Sequence, residues 1–195
     1  MRVLLIATNR HGRLMSRMEA RPLPIGLAYV AGHLGPARHT TKVLDLMFSD
    51  DYQADVEATV REFQPDLVGL SIRNLDNGSY LDPQWALPVA RQVTDLIRSI
   101  SQATVVCGGP AFSILPRECF AYVEPDLGIV GDAGETFAEL AGRLEASVSH
   151  RDLPGLVYRE NGQIVFNGVR SSSAFMKPPR LEDLDLPKYR QAGFG

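Results

Sequence analysis

The stretch Pro65-Asp66-Leu67-Val68-Gly69-Leu70-Ser71-Ile72-Arg73-Asn74-Leu75-Asp76-Asn77 holds a buried strand and the loop that leaves it. Pro-Asp opens it, Leu67 to Ile72 is nearly all apolar, and Arg73 to Pro83 is polar. Apolar residues at consecutive positions belong to a strand covered on both faces, as in a parallel sheet flanked by helices. Upstream, Val3 to Ala7 and Thr41 to Leu46 read the same way. Downstream, Ala103 to Cys107 and Leu127 to Val130 do so.

Helical patterns separate these runs. Pro24 to Leu34 places Leu27, Val30, Ala31 and Leu34 on one face, after a proline suited to a helix start. Tyr52 to Phe63 repeats the pattern with Val56, Val60 and Phe63. Trp85 to Ile100, Pro116 to Tyr122 and Thr136 to Leu144 complete the set. Alternating strands and helices imply an α/β fold with right-handed crossovers. The expected architecture is a flavodoxin-like doubly wound sheet of five parallel strands, in the order 2-1-3-4-5. After it, Gly155 to Arg159 and Gln163 to Asn167 flank Asn161-Gly162, a hairpin signal. The expected division is a Rossmann-like domain over 1–148, a hairpin over 149–170 and a proline-rich linker over 171–195.

Composition narrows function. The 195 residues carry a net charge of -3 without a long basic run, which gives nucleic-acid binding little support. No apolar stretch reaches the ~18 residues of a membrane span. Val3 to Ile6 is too short for a secretory core, so the expectation is a cytoplasmic protein. Cys107 and Cys119 match no zinc or iron–sulfur spacing and read as buried thiols. Among the histidines, His33 and His39 flank a helix end and read as dipole-facing or solvated.

Ligands of open parallel sheets bind beyond the carboxyl ends of the strands. Those ends read Thr8-Asn9-Arg10, Ser71 to Asn77, Gly108-Gly109-Pro110 and Gly131-Asp132-Ala133-Gly134-Glu135. Glycine there admits a ligand close to the backbone, although ordinary turns carry the same residues. No G-x-G-x-x-G follows the first strand and no P-loop signature occurs. A receiver domain would need acidic residues where Thr8-Asn9-Arg10 and Ser71-Ile72-Arg73 stand. No nucleophile–base pair is visible, so no catalytic residue is assigned.

The ordered set of motifs resembles the amino-terminal cobalamin-binding domain of cobalamin-dependent radical S-adenosylmethionine (SAM) proteins. It comprises Pro24 to Tyr29, Val43-Leu44-Asp45, Pro65 to Asn77, Gly108 to Ser113 with Pro116, the Gly131 to Glu135 turn and the hairpin. Asp132 and Ala133 stand where the family's Gly-Glu-Gly-Glu turn has its middle residues. The resemblance implies a corrin ring over the strand ends, bordered by Thr8, Asn9, Arg10, Arg73, Asn74, Leu75 and Asp76, with Ile72 beside it. It implies a nucleotide-tail groove at Ser71, Gly108, Gly109, Pro110, Ser113, Gly131, Asp132, Gly134, Glu135 and Thr136. His11 is the candidate cobalt ligand, but Asn9 and Leu14 replace the Asp and Gly of D-x-H-x-x-G. A cofactor with its base displaced and no protein histidine bound is therefore favoured, with the loop after the third strand, Arg73 or its neighbours, at the lower face. SAM and a [4Fe-4S] cluster are expected only in a downstream barrel in cis. The parent activity is expected to be methylation of an unactivated carbon, with this piece inactive alone. Two alternatives stay open: a degenerate partner-binding domain, and a flavin-binding flavodoxin-like domain.

Overall fold

The computed structural model describes residues 1–10, 21–35, 38–78, 80–169 and 177–189. Strands β1 (Arg2–Ala7), β2 (Thr40–Asp45), β3 (Leu67–Ser71), β4 (Thr104–Gly108) and β5 (Leu127–Ile129) are parallel. Strands β6 (Leu156–Glu160) and β7 (Gln163–Phe166) join the same sheet antiparallel, giving seven strands in the order β2-β1-β3-β4-β5-β6-β7. The expected order of the first five is thus the observed one. The hairpin extends that sheet, because β6 pairs with β5 from Leu127↔Tyr158 to Ile129↔Leu156. Its turn has φ of +48° at Asn161 and +81° at Gly162, the signs a two-residue type I′ turn requires.

Asp66 and Asp126, which stand just ahead of β3 and β5, each follow a proline and have the same use. Asp66 accepts from the Arg2 amide at 2.7 Å, and Asp126 from the Val105 amide at 2.7 Å. Each carboxylate thereby satisfies the adjacent strand at the amino end of the sheet.

Helices α1 (Ile25–Leu34) and α6 (Ala133–Glu145) lie together on one face. Helices α2 (Tyr52–Phe63), α3 (Leu87–Ile100), α4 (Pro110–Ile114) and α5 (Pro116–Val123) supply the opposite layer. Strand alternation separates two cores. Val3, Leu5, Leu67, Val106 and Ile129 face α1 and α6, whereas Leu4, Ile6, Val68, Leu70, Val105 and Cys107 face the other helices.

Three departures from expectation among the helices have a local reason. Helix α3 begins at Leu87, because Trp85 pairs with Asp76 and Ala86 donates to Leu75 O at 2.8 Å. Helix α6 begins at Ala133, because the Asp132 side chain caps it by accepting from Gly134 N at 3.3 Å. The single helix expected near Pro116 is preceded by α4, anchored by Phe112, which is fully buried. Its ring fills the space over Gly128, where a Cβ would stand 2.3 Å from Phe112 Cζ.

Both cysteines are free and buried, and burial pushes the Cys107 thiol far up. His39 is a correction: it is buried rather than solvated, and desolvation holds its pKa below the ordinary value. Its Nδ1 lies 3.5 Å from the Met1 amino group at the amino end of β1. Among the described residues, no helix is long and apolar enough to cross a membrane, and no cluster of three or more metal-ligating side chains occurs.

Candidate functional site

Period-two alternation puts Gly69, Ser71, Val106 and Gly108 on the α1–α6 face. In register Ser71 lies opposite Gly108, so two small residues meet at the carboxyl ends of neighbouring strands. A cleft of about 430 Å³ opens above them. Its floor is Leu5, Gly69, Ser71, Val106, Gly108 and Ile129, and its walls are α1 (Gly26, Leu27, Tyr29, Val30) and α6 with its turn (Gly131 to Gly134, Phe137). The volume falls in the ~300–1,000 Å³ range of organic-ligand sites. No bulky side chain stands at Ser71 or Gly108 to fill it.

The rim is held by a small hydrogen-bond frame. Gly109 has φ +101°, and a Cβ there would stand 2.7 Å from Ile72 O and 2.9 Å from Ile72 N. The chain can therefore turn against β3 only with glycine. Ser113 ties the two glycine turns together: its Oγ donates to Gly109 O and accepts from Gly131 N, both at 3.0 Å. Ser113 thus acts first as a strut between turns.

Helix α1 opens at the mouth with no side-chain cap and no acidic residue in its first turn. Uncapped amides and the positive end of the helix dipole favour an anionic group there. The α6 terminus differs, since the Asp132 carboxylate already occupies it.

A second cavity, about 240 Å³, lies at the carboxyl ends of β1 and β3. Thr8, Asn9, Arg10, Asn74, Asp76 and Asn77 line it, with Gln84 to Ala86 opposite. Thr8 is buried, and its N and Oγ1 both donate to Ser71 O, at 3.2 and 3.0 Å, pinning β1 to β3. Asn9 Nδ2 is buried with no hydrogen-bond partner among the described residues, a costly state for a donor. Arg10 is directed toward α2, donating to Ser49 O at 3.2 Å and stacking 4.6 Å over the Tyr52 ring. The loop between β3 and α3 is braced: Asp76 Oδ1 accepts from Gly78 N at 2.8 Å, and Asn77 N donates to Gln84 O at 3.1 Å. Tyr80, Leu81 and Trp85 stand exposed on it.

The structure divides the expected site residues between these cavities. Ser71, Gly108, Gly109, Pro110, Ser113, Gly131, Asp132 and Gly134 line the larger cleft; Thr8, Asn9, Arg10, Asn74 and Asp76 line the smaller. Others line neither. The Ile72 side chain is buried in the opposite core, while its N donates to Gly108 O and its O accepts from Ala111 N. Arg73 is exposed and Leu75 packs against that same core. Glu135 is exposed, and Thr136 Oγ1 donates to Pro154 O at 3.4 Å. His11 lies outside the described residues. Sequence reasoning missed the α1 wall, Phe137 and the floor residues Leu5, Val106 and Ile129; counting in twos from Ser71 and Gly108 would have found that floor.

The B12 binding domain family matches residues 14–141 of the chain. The chain belongs to this family. It is 25% identical to an uncharacterised methyltransferase of Pyrococcus horikoshii over 198 residues, covering 97% of this chain and 38% of that protein. It is 29% identical to the tryptophan 2-C-methyltransferase of Streptomyces laurentii over 137 residues, covering 69% of this chain and 23% of that one. The B12 binding domain fold is shared with the radical SAM methyltransferase TsrM of Kitasatospora setae, solved with cobalamin and a [4Fe-4S] cluster bound. There the TM-score is 0.77 at 23% identity, covering all of this chain and 35% of TsrM. The chain therefore spans well under half the length of these three relatives.

Proposed function

We propose that this B12 binding domain holds cobalamin in a base-off state, without histidine ligation, as the cofactor domain of a radical SAM C-methyltransferase. The observation that carries the reading is the open Ser71–Gly108 floor, which leaves the larger cleft free along the sheet face. In this reading the cleft takes the displaced nucleotide tail. The uncapped start of α1 faces its phosphate, and the Gly131 turn bounds the mouth. The corrin ring lies over the strand ends, with the Asn9 amide available to a peripheral carbonyl. Bound cobalamin would supply a transferable methyl group at cobalt; the protein binds, orients and shields it.

Arg73, exposed on the loop after β3, is the group we assign to the lower face of the ring. A guanidinium stays protonated and offers no lone pair, so beside a bound corrin it would not coordinate the cobalt. The domain division proposed is a Rossmann-like domain over 1–148, a hairpin appendage over 149–170 that extends its sheet, and a segment over 171–195 leading toward a barrel in cis.

The test is direct. Purified chain mixed with hydroxocobalamin and then desalted should retain corrin absorbance, and titration should release heat; protein that elutes colourless and titrates without heat removes the proposal, and flavin bands would replace it. Bound cob(II)alamin should lack nitrogen superhyperfine splitting in its electron paramagnetic resonance spectrum. Splitting that disappears in His11→Ala would overturn the unligated assignment.

A further inference from the structure

Residues 177–189 have no regular structure beyond the 3₁₀ turns Leu181–Asp183 and Leu186–Tyr189, yet they are fastened along the molecule. The attachment begins in a notch on α1. A Cβ on Gly32 would stand 2.2 Å from Pro178 O, so the strap backbone sits where any other residue would put a side chain. Arg180 is the next anchor. Its N donates to Ala28 O at 2.9 Å, its Nη1 to Thr41 Oγ1 at 2.7 Å, and its Nη2 pairs with Asp183 at 2.9 Å. Farther along, Tyr189 OH donates to Asp45 Oδ2 at 2.7 Å, and its ring meets Phe48 edge-on at 4.9 Å. The strap thus joins α1 to β2 and ends at the carboxyl edge of the sheet.

Helix α1 stands between this strap and the cleft. Leu27 and Val30 line the cleft, while Ala28 O and Gly32 receive the strap. His33 links both sides. Its ring fills the space over Gly134 on α6, where a Cβ would lie 2.5 Å from Nδ1. Nδ1 donates to Tyr29 O at 2.9 Å and Nε2 accepts from Lys177 N at 3.5 Å, a pairing that one neutral tautomer satisfies. His33, one of the side chains that space α1 from α6 across the cleft, therefore also touches the strap.

We propose that the strap is a positioning element for the cofactor: docked, it holds α1 where the cleft is open to the nucleotide tail. Strap docking and cofactor binding are then coupled. This inference rests on the cobalamin reading above. Coupling is reciprocal, so bound cofactor must hold the strap down by the same factor that the docked strap strengthens binding.

Gly32→Ala tests this in the full chain. Alanine is the better helix former, so α1 is preserved while the notch is filled. Trypsin cleavage after Lys188 reads strap release, and calorimetric titration with hydroxocobalamin reads affinity. Gly32→Ala should speed cleavage and weaken binding roughly tenfold, within the range usual for coupled sites. Arg180→Ala should do the same through a different anchor, which guards against a folding defect in either variant. Hydroxocobalamin should slow cleavage of the unmodified chain by a similar factor. Faster cleavage with unchanged affinity would overturn the proposal, as would variants that do not free the strap, or cleavage indifferent to the cofactor. Those results leave cobalamin binding itself standing. Failure of the unmodified chain to bind hydroxocobalamin removes both.

Discussion

Gly108→Leu is expected to weaken cobalamin binding about a hundredfold while leaving the protein folded. Gly108 ends β4 on the cleft face, opposite Ser71. A Cβ there meets only Ile129 O, at 3.4 Å, an ordinary contact, and the residue is absent from the positive-φ positions. The backbone therefore accepts a side chain at small cost. Beyond Cβ, the leucine methyls have nowhere to go but the cleft above the sheet. Forcing a ligand into such a filled space costs ~3 kcal/mol, which is a loss of about a hundredfold in affinity. Circular dichroism and thermal melting should be close to those of the parent chain. Retained corrin affinity in a folded Gly108→Leu protein would mean that the tail does not lie along this floor.

The neighbouring residue should behave in the opposite way. Gly109→Ala is expected to cost ~2–4 kcal/mol of stability, combining strain at positive φ with a steric clash. The clash is against the backbone N and O of Ile72, which cannot rotate aside. Those atoms already bond Gly108 O and Ala111 N, so relief must move the end of β3 or the start of α4. For a domain of this size the melting temperature should fall by about 5–15 °C. A fall of under about 2 °C would show that the turn relaxes freely and that its geometry is not imposed by packing. Adjacent glycines thus separate two demands, empty space at one and backbone conformation at the other.

Much of this was legible in the sequence. Consecutive apolar runs marked the parallel strands, and Pro65-Asp66 marked the start of β3. The glycine-rich ends of β4 and β5 pointed to the cleft rim because no side chain there could fill it. The α1 wall was not legible, since Leu27 and Val30 obey the same spacing as any core-facing helix. Only the partner α6 and the empty floor make them a wall. Trp85 read as the first turn of a helix, yet its pairing with Asp76 across a closed loop holds it outside. The strap was invisible for a different reason. Its first anchors are backbone atoms fitted to Gly32 and Ala28, and a proline-rich segment without periodicity gives no sign of such a fit.

The hairpin acts as a selvage on the sheet. Strand β5 is only three residues long, and without β6 its outer row of amide and carbonyl groups would be bare. Leu156 and Val157, both fully buried, would leave with the hairpin and uncover both cores at once. A sticky, unpaired strand margin of that kind recruits other chains. Fragments cut ahead of Gly155 should therefore self-associate in sedimentation experiments, whereas those retaining the chain through Asn167 should stay dispersed.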